Sequence, residues 1–328
     1  MEDKAILKKI LSMIVASYTN DEICQKLNMT HNELYVCLNN LKRIGFTFKN
    51  QFYEDGSIIY YIINNESALE KEANRDYAKI LTKSNSDTLR AIAISDLHFG
   101  NPNEGLYQTC ELFDYAIKNG INIFFNIGDF IDGTFGQDEK TIAEIYDQIE
   151  YFIKKYPHDN SILTFGVGGD HDYSAFRVAN QDFITFVSSY RGDIIIPSYN
   201  RTNIFVKEDA IALEHHIDGI NKIGSERSIV LHGHHHEYYA NMAGNNVLHI
   251  KVPSLSSIGT NMPSALDITF EFNQGYINGA LIRQLIFKDG KIVEIGKNHY
   301  SQFGILNGQP HGLSKINVVD YLPSERKK

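Results

Sequence analysis

Five short clusters of acidic and histidine residues contain the side chains of this 328-residue chain that could do chemistry. In chain order they are Asp96-Leu-His98, Gly128-Asp129-Phe-Ile-Asp132, Gly169-Asp170-His171-Asp172, Glu214-His215-His216 and His232-Gly-His234-His235-His236. Carboxylates and imidazoles are ligands for divalent metal ions, and no other plausible use needs so many of them together. The clusters therefore predict a metal centre, and their number favours two ions.

Each cluster follows an apolar run that is typical of a buried strand. The runs are AIAIS, INIFFNI, SILTFGV, AIALE and SIVL. Side chains placed just past strand ends meet at one edge of a sheet, where open α/β sheets build their sites. After the last cluster the pattern changes to successive strands, VLHIKV, LDITFEF, GALIRQLIF and KIVEIG. We interpret these as a second, antiparallel sheet packed on the first.

The order of the motifs is DxH, GDxxD, a GNHD-like block, a lone histidine and GHxH. It resembles the calcineurin-like metallophosphoesterase superfamily over residues 89–296. The resemblance implies a two-sheet α/β sandwich flanked by helices (αββα), which we place at residues 89–300, and a metal-dependent hydrolase of phosphate esters. The SDLHFG and GDFIDG blocks look most like the branch that holds the Mre11/SbcD nucleases and the sugar-nucleotide pyrophosphatases.

The resemblance also implies a ligand set. Asp96, His98 and His236 would bind the first metal, Asp170, His215 and His234 the second, and Asp129 would bridge both. A bridging carboxylate holds two cations about 3.5–4 Å apart, so that a shared water becomes hydroxide and attacks a clamped phosphate. Mixed oxygen and nitrogen ligation favours Mn²⁺, with Fe²⁺ or Zn²⁺ as alternatives, over Mg²⁺ or Ca²⁺ alone.

His171 lies where members of this superfamily have a histidine near the leaving group, so we expect it to act as general acid or to contact the phosphate. We expect Asp172 to orient His171 and Asp132 to support the ligands. Asp170 stands where the superfamily usually has Asn. The extra charge leaves open whether this copy is fully active, and we expect Asp170→Asn to keep activity within about tenfold.

Residues 1–63 show a different pattern, three helices and then a hairpin. Thr30 to Glu33 is a capping box, and Asp55-Gly56 is a strong hairpin signal. This order resembles a winged helix-turn-helix domain with NELYVCLNNLKR as its recognition helix. The side chains that would touch DNA are Asn32, Tyr35, Asn39, Lys42 and Arg43. Basic and acidic residues balance in this segment, so protein contact or a homodimer is the alternative.

The remaining segments and the composition set broad limits. Residues 64–88 contain LEKEANRDYAKIL and predict a linker helix, and residues 301–328 form a Gly-, Asn- and Pro-rich tail. The net charge of −9 argues against coating nucleic acid by bulk charge. Cys24, Cys37 and Cys110 show no pairing pattern, which fits reduced thiols. No apolar run is long enough to cross a membrane, and we expect a cytoplasmic protein.

Three functions fit these observations. The first is a metal-dependent DNA phosphodiesterase or exonuclease, in which Tyr173 and Arg177 contact the substrate beside His171. The second is hydrolysis of a small cyclic or linear nucleotide, with the N-terminal segment used for dimerisation. The third is a DNA-bound regulator with a vestigial metal site, and the intact ligand set counts against it.

Overall fold

Two β-sheets packed face to face, with helices on one outer side, form the body of the molecule. The computed structural model describes residues 4–63, 77–82, 86–134, 141–217, 228–243, 246–258, 262–288 and 290–301, and strands at 305–306 and 309–310. The helices are α1 Lys4–Val15, α2 Asn20–Leu27, α3 His31–Arg43, α4 Leu106–Asn119, α5 Ile145–Lys155, α6 Asp170–Ala179 and α7 Phe183–Tyr190. The strands are β1 Phe48–Tyr53, β2 Ile58–Ile62, β3 Tyr77–Leu81, β4 Thr88–Ile94, β5 Ile123–Ile127, β6 Leu163–Val167, β7 Ile194–Ile195, β8 Arg201–Val206, β9 Asp209–Glu214, β10 Ile229–His232, β11 Tyr239–Met242, β12 Leu248–Lys251, β13 Ser264–Asn273, β14 Tyr276–Lys288, β15 Lys291–Ser301, β16 Ile305–Leu306 and β17 Gln309–Pro310.

The first sheet has seven strands in the order β15-β14-β13-β4-β5-β6-β7, and the second has eight in the order β11-β12-β10-β9-β8-β3-β1-β2. The α/β sandwich of two sheets is confirmed. The prediction of which strands form the second sheet was wrong, however. Strands β13 to β15 continue the first sheet, because β13 pairs antiparallel with β4 (Leu266 opposite Ala93). The second sheet is built by β8 to β12 together with the N-terminal strands.

The central strands are apolar on both faces because both faces are covered. Every residue of β5 and β6 is buried. On one face, Phe125 and Phe165 belong to the core between the sheets. On the other, Phe124 packs in a second core with Phe130 and Phe152, which the helices of this side complete. Continuous apolar runs of this kind are expected for parallel strands covered on both sides.

The N-terminal helices and hairpin have the predicted order. Thr30 and Glu33 form the capping box at the start of α3, and β1 and β2 pair antiparallel. The segment is not a separate body, because β1 pairs in parallel with β3 (Phe52 opposite Ile80) and so extends the second sheet. The predicted linker helix is wrong over Tyr77–Leu81, which forms strand β3, and residues 64–76 lie outside the described ranges.

The N-terminal helices share a core with the sandwich. Ile10, Ile23 and Leu38 are almost fully buried and belong to the same apolar cluster as Phe125 and Phe165. The buried apolar side chains of these helices are therefore covered by other parts of this chain. No helix in the described ranges is long and apolar enough to cross a membrane.

Candidate dinuclear metal centre

The seven predicted ligands converge at one end of the sandwich. Each comes directly after the strand that the sequence indicated, from β4, β5 and β6 of the first sheet and from β9 and β10 of the second. The expectation that all ligands lie at the edge of one sheet was wrong, because strands of both sheets contribute ligands. The centre therefore lies between two facing rows of strand ends, which gives it ligands from opposite sides.

The ligands fall into two groups. Within each group, the ligand atoms all lie within 4.8 Å of one another. One group is Asp96, His98 and His236, and the other is Asp129, Asp170, His215 and His234. Asp129 also approaches the first group, because its Oδ2 lies 3.9 Å from Nε2 of His98 and 3.3 Å from Nε2 of His215. A carboxylate between two ligand groups is in the position that a bridging ligand requires.

The backbone at the ligands is unusual. Asp96, His98, Asp129, His234 and His236 all have positive φ, between 49° and 74°. A residue with a Cβ in this left-handed region costs about 1–2 kcal/mol relative to the right-handed one. Strain of this kind persists where the surroundings hold it in place, and it concentrates at functional sites.

Two glycines let other backbone segments approach the ligands. A Cβ on Gly169 would lie 1.9 Å from Oδ1 of Asp129, and a Cβ on Gly128 would lie 2.3 Å from Nδ1 of His215. Gly128 also has φ of 93°, which residues with a side chain rarely adopt. Gly169 is therefore required by space, and Gly128 by space as well as by conformation.

Hydrogen bonds and burial set the protonation of the histidines. Nδ1 of His215 donates to the carbonyl of Ile127 at 2.5 Å, which leaves Nε2 toward Asp129 and Asp170. Burial alone would lower the pKa of His215, but the carboxylates of Asp129 and Asp170 hold it well above its usual value. His98 is the opposite case, because burial lowers its pKa to about 4 and keeps the ring neutral.

The donor set fits divalent cations. Oδ1 of Asp96 and both ring nitrogens of His98 are buried, and none of them has a hydrogen-bond partner among the described residues. Burying such polar atoms without a partner costs about 1–3 kcal/mol apiece. A cation in the first ligand group would satisfy Oδ1 of Asp96 and one ring nitrogen of His98, and two divalent cations would neutralise the three carboxylates of the centre. The residues present are therefore those that a two-metal centre needs.

His171 lies beside both groups, and its orientation differs from the expectation. Its ring nitrogen is within 4.8 Å of ligand atoms of His98 and Asp129. Nδ1 of His171 donates to the backbone carbonyl of Asp132 at 2.6 Å. The prediction that Asp172 orients His171 was wrong. The Asp172 carboxylate is buried and accepts from three backbone amides, those of Phe130, Ile131 and Gly169 at 2.9–3.1 Å.

Asp132 and the other histidines of the motifs have supporting or peripheral positions. Oδ1 of Asp132 accepts from Asn101 at 3.0 Å and lies 3.7 Å from Nδ1 of His98. Asn101, which sequence reasoning missed, follows Asp96 by five residues and had no motif to mark it. His216 and His235 are exposed and belong to neither ligand group.

The predicted substrate contacts lie along α6. Tyr173 and Arg177 line a cavity of about 190 Å³ together with the ligands Asp170 and His234. Thr134, Val178 and His216 also line it, and sequence reasoning did not select them. They come from three segments that are distant in sequence, so no local pattern could group them.

The predicted DNA contacts on α3 divide into two sets. The hydroxyl of Tyr35 donates to the carbonyl of Ser188, and the side-chain amide of Asn39 donates to the carbonyl of Ser189 at 2.7 Å, both on α7. These two side chains are thus engaged within the chain, which corrects their assignment to a DNA-reading surface. Asn32, Lys42 and Arg43 are exposed.

The sandwich and its paired ligand groups define a metal-dependent phosphoester hydrolase. The family model of the calcineurin-like phosphoesterases matches residues 89–258, and the chain belongs to this family. No functionally curated protein matches the chain significantly.

Solved structures with a similar arrangement are distant in sequence. Vacuolar protein sorting 29 of Cryptosporidium parvum is 15% identical, with 66% of this chain and 100% of that chain covered and a TM-score of 0.37. The E. coli phosphoesterase YfcE is 14% identical, with 57% and 96% covered and a TM-score of 0.36. The Pseudomonas putida nuclease MPE is 15% identical, with 62% and 87% covered and a TM-score of 0.32.

Proposed function

We propose that this metallophosphoesterase is a DNA phosphodiesterase or exonuclease. The observation that carries the proposal is the face of α6 beside the metal centre. Tyr173 and Arg177 lie on it, within reach of a substrate bound at Asp170. An aromatic ring and a guanidinium next to a phosphoester-hydrolysing centre are suited to a base and a backbone phosphate.

Each ligand group would hold one divalent ion, with Asp129 shared. Bound ions would supply Lewis-acid chemistry, activating water and neutralising charge on the phosphate oxygens. We propose Mn²⁺, with Fe²⁺ or Zn²⁺ as alternatives, because the donors mix carboxylate oxygen with imidazole nitrogen.

His171 supplies the proton that the leaving group needs. With Nδ1 donating to the carbonyl of Asp132, the acid–base atom of the ring is Nε2. Burial lowers the pKa of His171, but Asp129 and the Asp132 carbonyl outweigh burial and raise the pKa above its ordinary value. When Nε2 carries a proton, His171 can donate it to the departing oxygen of a phosphodiester.

We further propose that the N-terminal helices and hairpin form a winged-helix module whose DNA contacts are limited to the exposed side chains of α3. Asn32, Lys42 and Arg43 remain for this role, since Tyr35 and Asn39 bind α7. The module is held against the catalytic sandwich, so it would place bound DNA at a fixed distance from the metal centre.

The second candidate is a phosphodiesterase of small nucleotides. The attachment of α3 to α7 favours it, because Tyr35 and Asn39 of the proposed recognition helix hydrogen-bond to α7 instead of facing DNA. The net charge of −9 favours it as well, because an acidic surface repels a polyanion.

One set of assays separates the two. Purified protein loaded with Mn²⁺ is incubated with single- and double-stranded DNA, bis(p-nitrophenyl) phosphate and p-nitrophenyl phosphate. We expect DNA and the small diester to be cleaved, and DNA cleavage to be lost in His98→Ala and His171→Ala. Cleavage of the small diester with DNA left intact would move the assignment to the second candidate. Firm duplex binding without any hydrolysis would overturn both in favour of a regulator.

A further inference from the structure

We propose that the cavity beside the second ligand group binds one unpaired nucleoside of the DNA strand, and that Arg177 binds the phosphate on the far side of that nucleoside. This inference rests on the proposed function and specifies its substrate. The cavity has a volume of about 190 Å³, and it opens between α6 and the segment that follows β9. Two metal-centre residues, Asp170 and His234, form one end of it.

The spacing along α6 sets the length of the group that fits. Asp170, Tyr173 and Arg177 are at positions i, i+3 and i+7 and so share one face of the helix. With a rise of 1.5 Å per residue, Arg177 lies about 10 Å beyond Asp170 along the axis. A substrate that contacts both ends needs a second anionic group, separated from the scissile phosphate by one nucleoside.

Arg177 is available for such a group. Its side chain is exposed, and no carboxylate in the described ranges forms an ion pair with it. A guanidinium binds phosphate through two parallel hydrogen bonds, and in a helix a long side chain leans toward the N-terminus, here toward the metal centre. Arg177 therefore closes the end of the cavity opposite Asp170.

Tyr173 provides a flat surface inside the cavity. Its ring centroid lies 5.3 Å from that of Tyr199 and 6.1 Å from that of Phe176. The hydroxyl of Tyr199 donates to Asp182 at 2.7 Å, which fixes the ring that supports Tyr173. A ring held in this way is a stacking platform for a base and needs no ordering when the base arrives.

The size of the cavity excludes a base pair. Pockets for drug-sized molecules measure about 300–1,000 Å³, so a cavity of about 190 Å³ is suited to a single base and is too small for two paired bases. The exposed ring of His216, 5.5 Å from that of His234, bounds the side opposite α6. A paired nucleotide must leave its duplex to enter, and that unpairing costs free energy. Single-stranded ends are therefore the preferred substrate.

The test compares a substrate that has the second phosphate with one that lacks it. Full-length protein with Mn²⁺ is assayed on single-stranded oligothymidylate, on the same sequence in a blunt duplex, and on bis(p-nitrophenyl) phosphate. We expect Arg177→Ala to lower the ratio of kcat/KM for oligothymidylate to kcat/KM for the small diester about tenfold, as for the loss of one charge-assisted hydrogen bond. Lys154→Ala removes an exposed positive charge on α5 and is the matched control, for which the ratio stays unchanged.

Binding gives a second readout that does not depend on turnover. In a His171→Gln background, fluorescence anisotropy with labelled oligothymidylate should show weaker binding for Arg177→Ala. The slope of log K against log salt concentration should also decrease by about 0.7, as expected for one lost phosphate contact on a single strand. A merely structural role of Arg177 would leave that slope unchanged.

The outcomes are distinct. Equal loss on both substrates, or an unchanged ratio while both are cleaved, would overturn the nucleoside site and leave the proposed function standing. Faster cleavage of the blunt duplex than of the single strand would also overturn it. If the unaltered protein does not cleave DNA, the proposed function itself fails.

Discussion

The imidazole of His171 is oriented by the backbone of Asp132, whose carbonyl oxygen lies 2.6 Å from Nδ1. Asp172 is the residue after His171. Its carboxylate accepts instead from the backbone amides of Gly169, Phe130 and Ile131, and the last two directly follow Asp129. Asp172 therefore connects the loop that carries Asp129 to the start of α6. A backbone carbonyl fixes the tautomer without adding a negative charge to a site that already contains three carboxylates.

Replacing His171 should remove the acid and leave the metal centre intact. The backbone amide of His171 donates to Asp129, and this bond survives in His171→Gln. We expect kcat on oligothymidylate, whose leaving group is an alkoxide, to fall about 10²- to 10⁴-fold, the usual contribution of a general acid, and kcat on bis(p-nitrophenyl) phosphate, whose p-nitrophenolate leaves without a proton, to fall less. Elemental analysis should find the same metal content as in the unaltered protein. Loss of metal would show that His171 is a ligand.

Asp170→Asn tests the residue at which this chain departs from its family. Oδ1 of Asp170 lies 3.1 Å from Nε2 of His215 and 3.2 Å from Nδ1 of His234. The amide oxygen of Asn can take the same place but without the charge, so metal affinity should fall while geometry is kept. We expect activity at saturating Mn²⁺ within about tenfold of the unaltered protein, or about 1.4 kcal/mol of barrier. Complete loss of turnover, with the fold intact by circular dichroism, would show that the carboxylate is essential.

The metal-stripped protein should lose stability as the pH rises. In that state Asp170 raises the pKa of His234, and Asp96 raises the pKa of His236. A raised pKa in the folded state adds stability that is complete below the unfolded value of about 6.5 and disappears as the pH passes the folded value. The carboxylates of Asp96 and Asp170 have lowered pKa values, so their contribution is lost only in acid.

We therefore expect the Tm of the chelator-treated protein to fall as the pH rises above about 6.5. Bound metal replaces the protons, so the Tm of the loaded protein should stay level or rise over the same range. Thermal unfolding in matched buffers measures both. A Tm of the stripped protein that increased with pH would contradict the assignment of these histidines as proton-bearing partners of the carboxylates.

Gly169 should not tolerate a side chain. A Cβ there would lie 1.9 Å from Oδ1 and 2.5 Å from the backbone nitrogen of Asp129, both on the loop of the shared ligand. We expect Gly169→Ala to lose most of its bound metal and to reduce kcat/KM at least 100-fold, or about 2.7 kcal/mol. Gly296→Ala is the control, since a Cβ at that position has no heavy atom within 4 Å. Retained metal in Gly169→Ala would show that the loop can move.

The candidate ligands could be selected because each directly follows a strand that is visible locally as an apolar run, and the resemblance to the metallophosphoesterases divided them between two metals. The assignment of strands to sheets could not be predicted. Strand β13 pairs with β4 across more than 170 residues of chain, and neither strand's sequence indicates its partner. Strand β3 shows the same limit. Its residues Tyr77–Leu81 continue a helix-favouring sequence, but pairing with β8 and β1 decides their conformation.

The orienting partner of His171 was missed for a different reason. Sequence reasoning assigns roles to side chains, and the partner is a main-chain carbonyl that any residue at position 132 would offer. Cavity residues such as Thr134 and His216 were missed because only the folded chain brings their segments together.

The shared core predicts that the N-terminal helices and the catalytic sandwich unfold together. Leu38 is 1% exposed and belongs to the apolar cluster that fills the space between the two sheets. We expect Leu38→Ala to cost about 2–5 kcal/mol and to shift a single transition in urea, followed in parallel by circular dichroism and by hydrolysis of bis(p-nitrophenyl) phosphate.

Val36→Ala is the control, because Val36 is 52% exposed on the same helix and its loss should change stability by less than about 0.5 kcal/mol. Two separate transitions, with activity kept after the first, would show that the N-terminal segment is an independent domain and that β1 and β2 are dispensable to the sandwich.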